Sequence, residues 1–185
     1  MPSCTHLFTR KALSLVVFAL LLLPLWAFRS DAPEWTEVTL NNTLNVRFPG
    51  QPSFQTVQNI PFYGIRTGEA VYTAMYIDQK SSPQYKPIAD EPSLHSFYLG
   101  FMDSVLSNFK STLTDSTSFY LGSHRGMDFR YTSTGADGAT LTRRNRVILV
   151  DDIIYSLSVT PVVVPTAESR STEKLFMESL QTKKQ

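Results

Sequence analysis

The chain has 185 residues, 42% of them hydrophobic and 18% charged, with 17 basic against 16 acidic side chains and a formal charge of +1. That length holds one globular domain and little besides. A charge so near zero excludes a general attraction to nucleic acid or to acidic lipid.

The first 30 residues read as a targeting segment. Thr9-Arg10-Lys11 supplies a positive flank, and Ala12 to Phe28 supplies 17 residues without a charge. Residues 1–30 are expected to form an N-terminal hydrophobic export helix, either a signal peptide or an uncleaved signal anchor, with residues 31–185 as a single domain. An apolar run of about 18 or more residues spans a bilayer and a signal core is usually shorter. Pro24 favours a cleavage region, whereas Leu25-Trp26-Ala27 is a poor small-x-small site, so both fates stay open. In either, the flank stays in the cytoplasm and the domain is extracytoplasmic: periplasmic or secreted, or anchored to the inner membrane by residues 12–28. The membrane is then one expected partner. Cys4, the sole cysteine, lies in the cytoplasmic flank. The exported part therefore has no internal disulfide and no thiolate metal site, a lean towards a bacterial envelope protein.

After a short linker, Trp35 to Leu40 and Leu44 to Phe48 alternate apolar and polar residues around Asn41-Asn42 and predict a hairpin. Phe48-Pro49-Gly50-Gln51-Pro52 breaks the second strand. Phe54 to Ile60 and Glu69 to Asp78 continue the strand pattern. Pro83, Pro87 and Pro92 mark residues 79–92 as a surface loop. From about Ser93 the apolar residues Leu94, Phe97, Tyr98, Phe101, Met102, Val105, Leu106 and Phe109 keep helical spacing and predict a helix with a core-facing stripe. Thr117 to Leu121 and Met127 to Tyr131 are two more strands around Gly122 to Gly126, and Ser133 to Gly138 is a further turn.

The cleanest signal runs from Ala139 to Val163, two strands meeting at Asp151-Asp152. A two-residue loop there sets Arg146 opposite Leu157 and Val147 opposite Ser156, mixing polar with apolar on both faces. One more loop residue, or a bulge, lines Val147 and Leu149 up with Leu157 and Tyr155 and sets Arg146 against Ser158, so that register is the expected one. Pro161 and Pro165 end the hairpin, and Thr166 caps a last helix whose inner stripe reads Thr172, Leu175, Phe176, Ser179 and Leu180. Four strands, a helix, four strands and a helix predict an α+β fold: a mostly antiparallel β-sheet with helices packed on it, an α/β/α sandwich.

Several of these features occur together in one known group. Phe48-Pro49-Gly50 with Pro52 closing an early strand, the Gly122 to Gly126 turn before an aromatic strand, the Arg-rich strand turning into Ile154-Tyr155-Ser156-Leu157-Ser158-Val159, and a final Phe176-x-x-Ser179-Leu180 helix resemble the PsbP/Mog1-like domains. The likeness spans about residues 34 to 181, and in particular the chain resembles small uncharacterised or DcrB-type exported bacterial members. It implies an antiparallel sheet between helices and a non-enzymatic accessory, assembly or binding role. It carries over no catalytic residue, cofactor, photosystem role or nuclear-import role.

Few residues offer chemistry. His124 and Asp128 face the same side if one strand runs through both, and could serve a small hydrolase or a metal-dependent enzyme; Gly126 between them suggests a turn instead. Ser123 is adjacent to His124, and neighbours on a strand point opposite ways, which spoils a Ser-His-Asp arrangement. His95 borders the apolar stripe of the long helix. Asp151-Asp152 is turn chemistry and Asp90-Glu91 precedes a helix start. No phosphate loop or dinucleotide fingerprint occurs, and neither a metal nor a cofactor is expected. Arg143, Arg144 and Arg146, extended by Arg125 and Arg130, form the cluster with functional colour, since guanidinium forks hold phosphate or carboxylate well. An anionic ligand or an acidic envelope protein is the partner they suggest, and a solvated, internally paired strand face is the plainer reading.

Overall fold

A computed structural model of the chain describes residues 34–82, 85–88, 90–134 and 138–183. The expected targeting segment lies outside the described residues. Among these, no helix is long and apolar enough to cross a membrane.

The elements in order are β1 (Trp35–Leu40), β2 (Leu44–Pro49), β3 (Ser53–Val57), β4 (Ile60–Arg66), β5 (Ala70–Asp78), α1 (Glu91–Asn108), β6 (Thr112–Leu121), β7 (His124–Thr134), β8 (Thr140–Val150), β9 (Ile153–Pro161), α2 (Ala167–Glu178) and the short β10 (Gln181–Thr182). Five strands thus precede α1, one more than the sequence pattern suggests. Gln58 and Asn59 take positive φ values of 52° and 66° in a tight turn that divides what reads as one strand, Phe54 to Ile60, between β3 and β4. Seven strands pair antiparallel in the order β3-β4-β5-β9-β8-β7-β6, while β1, β2 and β10 form a second, three-stranded sheet.

Both faces of the large sheet are covered, which is why its central strands are apolar on both sides. On one face Tyr98 and Met102 of α1 pack on Met127, Phe129, Tyr131, Val147 and Ile154. On the other, α2 and the small sheet bring Leu40, Val46, Phe48, Phe176 and Met177 onto Tyr72, Ile148, Tyr155 and Leu157. The layers are therefore helix, sheet, and then a helix side by side with a small sheet.

Register differs from expectation at the β8–β9 turn. Val150 pairs with Ile153, Val147 with Ser156 and Arg146 with Leu157, so the loop holds only Asp151 and Asp152, with φ of 50° and 67°. Short polar Asp residues tolerate that left-handed conformation, and a two-residue turn of this hand matches the twist of the strands. The mixing of polar with apolar side chains carries no penalty because both faces have cover, so Ile148 and Val147 enter different cores.

Both helices end as their residues dictate. Asp90 caps α1, its carboxylate accepting from Ser93 N at 2.7 Å. At the other end Lys110 takes a φ of 47°, with Ser111 N bonded to Leu106 O and Lys110 N to Ser107 O, a Schellman closure. Thr166 caps α2 through Ser169 N, as expected. The buried residues of α2 are Ser169, Phe176 and Met177, with Leu180 buried just beyond its end, and Leu175 is exposed. The stripe is rotated because Phe176 enters between Phe48 and Tyr72, with ring centroids 5.1 and 5.3 Å away.

The two glycines of the Gly122 to Gly126 stretch work differently. Gly122 takes the positive φ of the two-residue β6–β7 turn. Gly126 lies under the Phe119 ring, where an added Cβ would stand 2.5 Å from that ring and 2.7 Å from the Val147 carbonyl oxygen. Gly126→Ala is expected to cost about 1–3 kcal/mol by overpacking. Urea unfolding should show the loss, and a midpoint equal to that of the native chain would contradict the stacking of Phe119 on bare backbone.

Candidate functional site

Strand periodicity separates the arginine cluster. Residues 144 and 146 lie on the α2 face of β8 and residue 143 on the α1 face, since successive side chains alternate. The Arg143 guanidinium lies 4.6 Å from the centroid of the Phe109 ring at the end of α1. Arg144 and Arg146 meet Asp128, which the β7–β8 register places directly opposite Arg146.

Asp128 is 4% exposed and is the centre of a charged network. Arg144 donates Nε to Oδ1 at 2.8 Å and Nη2 to Oδ2 at 2.9 Å, a two-pronged pair. Arg146 donates Nε to Oδ2 at 2.9 Å and sends Nη1 to the Met177 carbonyl at 2.5 Å, in the last turn of α2. Its guanidinium also stacks 4.4 Å over Phe119. Glu173 of α2 closes the other side, accepting from Arg144 Nη1 at 3.3 Å and from Arg130 Nη2 at 3.4 Å. Burial alone would raise the Asp128 carboxyl; the hydrogen bonds and charges of Arg144 and then Arg146 outweigh it and hold it below the usual carboxylate value. Burial likewise opposes the charge on Arg144, and Asp128 and Glu173 reverse that, raising its pKa. Burial, with Glu69 and Glu173 nearby, pushes the Tyr72 phenol up to about 12.

His124 and Asp128 share a face of β7 but not a site. His124 lines a cavity of about 490 Å³ at the end of the sheet, together with Glu91, Ser123, Arg125 and Asp152, and Asp128 is not part of its wall. With both Asp128 oxygens held by arginines, the carboxylate is engaged structurally. Arg125 pairs with Glu91 and lies 3.2 Å from His95 Nδ1. Asp90 is the helix cap already described. Among the described residues no group of three or more His, Cys, Asp or Glu could hold a metal ion.

Beside the Asp128 network lies a groove of about 600 Å³ between α2 and the rim of β7 and β8. Arg130, Arg144, Arg170 and Lys174 line it with Glu173 and Glu178, and Pro161, Val164 and Pro165 give it an apolar side. Arg170, Glu173 and Lys174 fall on one side of α2 because they are three and four residues apart. Sequence reading finds Arg144 and overlooks these three; their helical spacing was the available signal.

No family model matches the chain, and no curated protein matches it in sequence. Among solved structures, cyanobacterial PsbP (CyanoP) from Synechocystis sp. PCC 6803 superimposes with a TM-score of 0.61 over 84% of this chain and 96% of that one, at 9% identity. The fold is PsbP-like. LpqN of Mycobacterium tuberculosis, involved in cell envelope biogenesis, is similar at a TM-score of 0.41 and 11% identity, over 83% of this chain and 87% of its own. PA94 of Pseudomonas aeruginosa, a protein of unknown function, is similar at 0.40 and 12%, over 76% and 88%. Within this PsbP-like domain, Asp128 is the residue whose loss leaves two arginines without their central counter-charge.

Asp128→Asn is expected to destabilise the domain by about 3–5 kcal/mol, as when one partner of a buried pair is removed. The native carboxyl has a folded pKa below its unfolded value of about 3.9, so its contribution is full above that pH and is lost as pH falls through the folded value. Circular dichroism during acid titration should show a steeper loss of stability below about pH 4 in the native chain than in the variant. Parallel acid limbs would place the source elsewhere.

Proposed function

We propose that the chain is an exported, non-enzymatic binding or assembly module of the cell envelope. Residues 12–28 deliver it across the inner membrane, and it acts outside through a ligand- or partner-binding surface. The supporting sequence feature is the leader, a positive flank followed by 17 residues without a charge. The observation that carries the reading is the way the α2 face is built. Among the described residues the most buried carboxylate, Asp128, is fixed by Arg144 and Arg146, which makes it a brace for α2 instead of a proton acceptor. Arg130, Arg170 and Lys174 remain on the rim of the adjoining groove. A rigid scaffold carrying a charged, concave rim suits recognition.

An alkaline phosphatase reporter fused after Gln185 tests export, because that enzyme is active only outside the cytoplasm. The full chain is expected to give active reporter, and deletion of residues 12–28 is expected to reduce activity about ten-fold or more. Equal activity with and without that segment, or an inactive reporter on the intact chain, would overturn the reading.

A further inference from the structure

The geometry points to the groove between α2 and the β7–β8 rim as a binding site for a monomeric amphipathic anion. Its phosphate or carboxylate head would lie against Arg130, Arg170 and Lys174, and its apolar body along Pro161, Val164 and Pro165. The inference rests on the exported-module reading and gives that module its ligand class.

Charge is the first ground. Arg130, Arg144, Arg170 and Lys174 are the four cations of the groove wall, and the carboxylates among them are Glu173 and Glu178. Asp115 stands opposite Arg130 in register but does not line the groove. The surplus of two cations is on the open side. Arg144 has its Nε, Nη1 and Nη2 all engaged, whereas Arg130, 46% exposed, shares one Glu173 oxygen with it at 3.4 Å. Arg170 donates Nη1 to the Pro165 carbonyl, which holds its guanidinium at the mouth of the groove. Lys174 reaches Glu178 only at 4.0 Å. An incoming anion therefore meets three cations already gathered by the fold, and the Asp128 network behind them fixes the position of α2.

Shape and polarity are the second ground. The volume, about 600 Å³, is within the usual range of small-molecule sites. Its apolar part is unusual for a loop in water: Val164 is 85% exposed, in a segment between two prolines that fix the backbone. A free inorganic anion would use the cations and leave this side bare. A molecule with a short apolar body satisfies both.

The test uses the full chain held in phosphatidylcholine nanodiscs and titrated calorimetrically with hexyl phosphate, empty discs being subtracted. Hexyl phosphate is expected to bind about ten-fold or more tightly than inorganic phosphate, and hexylammonium not to bind. Arg170→Gln with Lys174→Gln changes two exposed side chains and should weaken hexyl phosphate about ten-fold. Val164→Asn should weaken hexyl phosphate several-fold and leave inorganic phosphate unchanged. Nanodiscs of phosphatidylglycerol should leave the affinity for hexyl phosphate unchanged. Equal affinities for hexyl and inorganic phosphate, an unaffected double variant, or loss of binding in phosphatidylglycerol, which would assign the cations to the bilayer surface, each overturn the inference. Such a failure with the phosphatase reporter still active removes the groove and leaves the exported module; an inactive reporter removes the module whatever the titrations give.

Discussion

The pairing of Val150 with Ile153 across a two-residue turn is the constraint on which the rest of the molecule depends. A shift of one residue would exchange every side chain of β8 between the two faces of the sheet. Arg144 and Arg146 would then leave Asp128, and Ile148 and Val150 would leave the core under the small sheet. The turn can hold this register because Asp151 and Asp152 accept positive φ, and the register can be tolerated because each face has a cover.

The two covers are attached by different physics. On the α1 side the apolar stripe dominates, and one hydroxyl adds direction. Tyr98, fully buried, donates its phenol to the Arg125 carbonyl at 2.5 Å and accepts from Leu149 N at 3.0 Å. The β7–β8 register ends at Gly126 with Ile148, so the Tyr98 hydroxyl takes up the donor and acceptor where the next pair would be. On the α2 side Phe176 and Met177 supply the burial, and the arginines supply the position. Arg146 reaches the Met177 carbonyl, and Arg144 and Arg130 reach Glu173.

A buried ion network is a weak source of net stability, since desolvation offsets much of the attraction. Its effect here is geometric. Two arginines on one strand and one carboxylate on the next define where the last turn of α2 must lie, and that placement opens the groove beside it. Fold stability and the proposed recognition surface thus draw on the same side chains. The rim residues Arg170 and Lys174 are exposed and can change without disturbing the brace behind them.

Much of this was legible in the residues alone. The hairpin of β1 and β2, the α1 stripe from Leu94 to Leu106, the Thr166 cap and the sheet-between-helices class all follow from periodicity and capping chemistry, which act over a few neighbouring residues; Phe109, expected in that stripe, is 49% exposed. Phe54 to Ile60 was harder, because Gln58-Asn59 is a less familiar turn than one containing glycine or proline. The arginines show where local reading stops. Alternation alone separates Arg143 from Arg144, but only the pairing of β7 with β8 brings Asp128 to Arg144 and Arg146, and only the seating of α2 brings Glu173. The sequence by itself determined both helices and most of the strands, because those are decided by short-range periodicity. The tertiary structure alone decided the register at Asp151-Asp152 and the counter-charge of each arginine, because both depend on whether a distant segment covers the face in question.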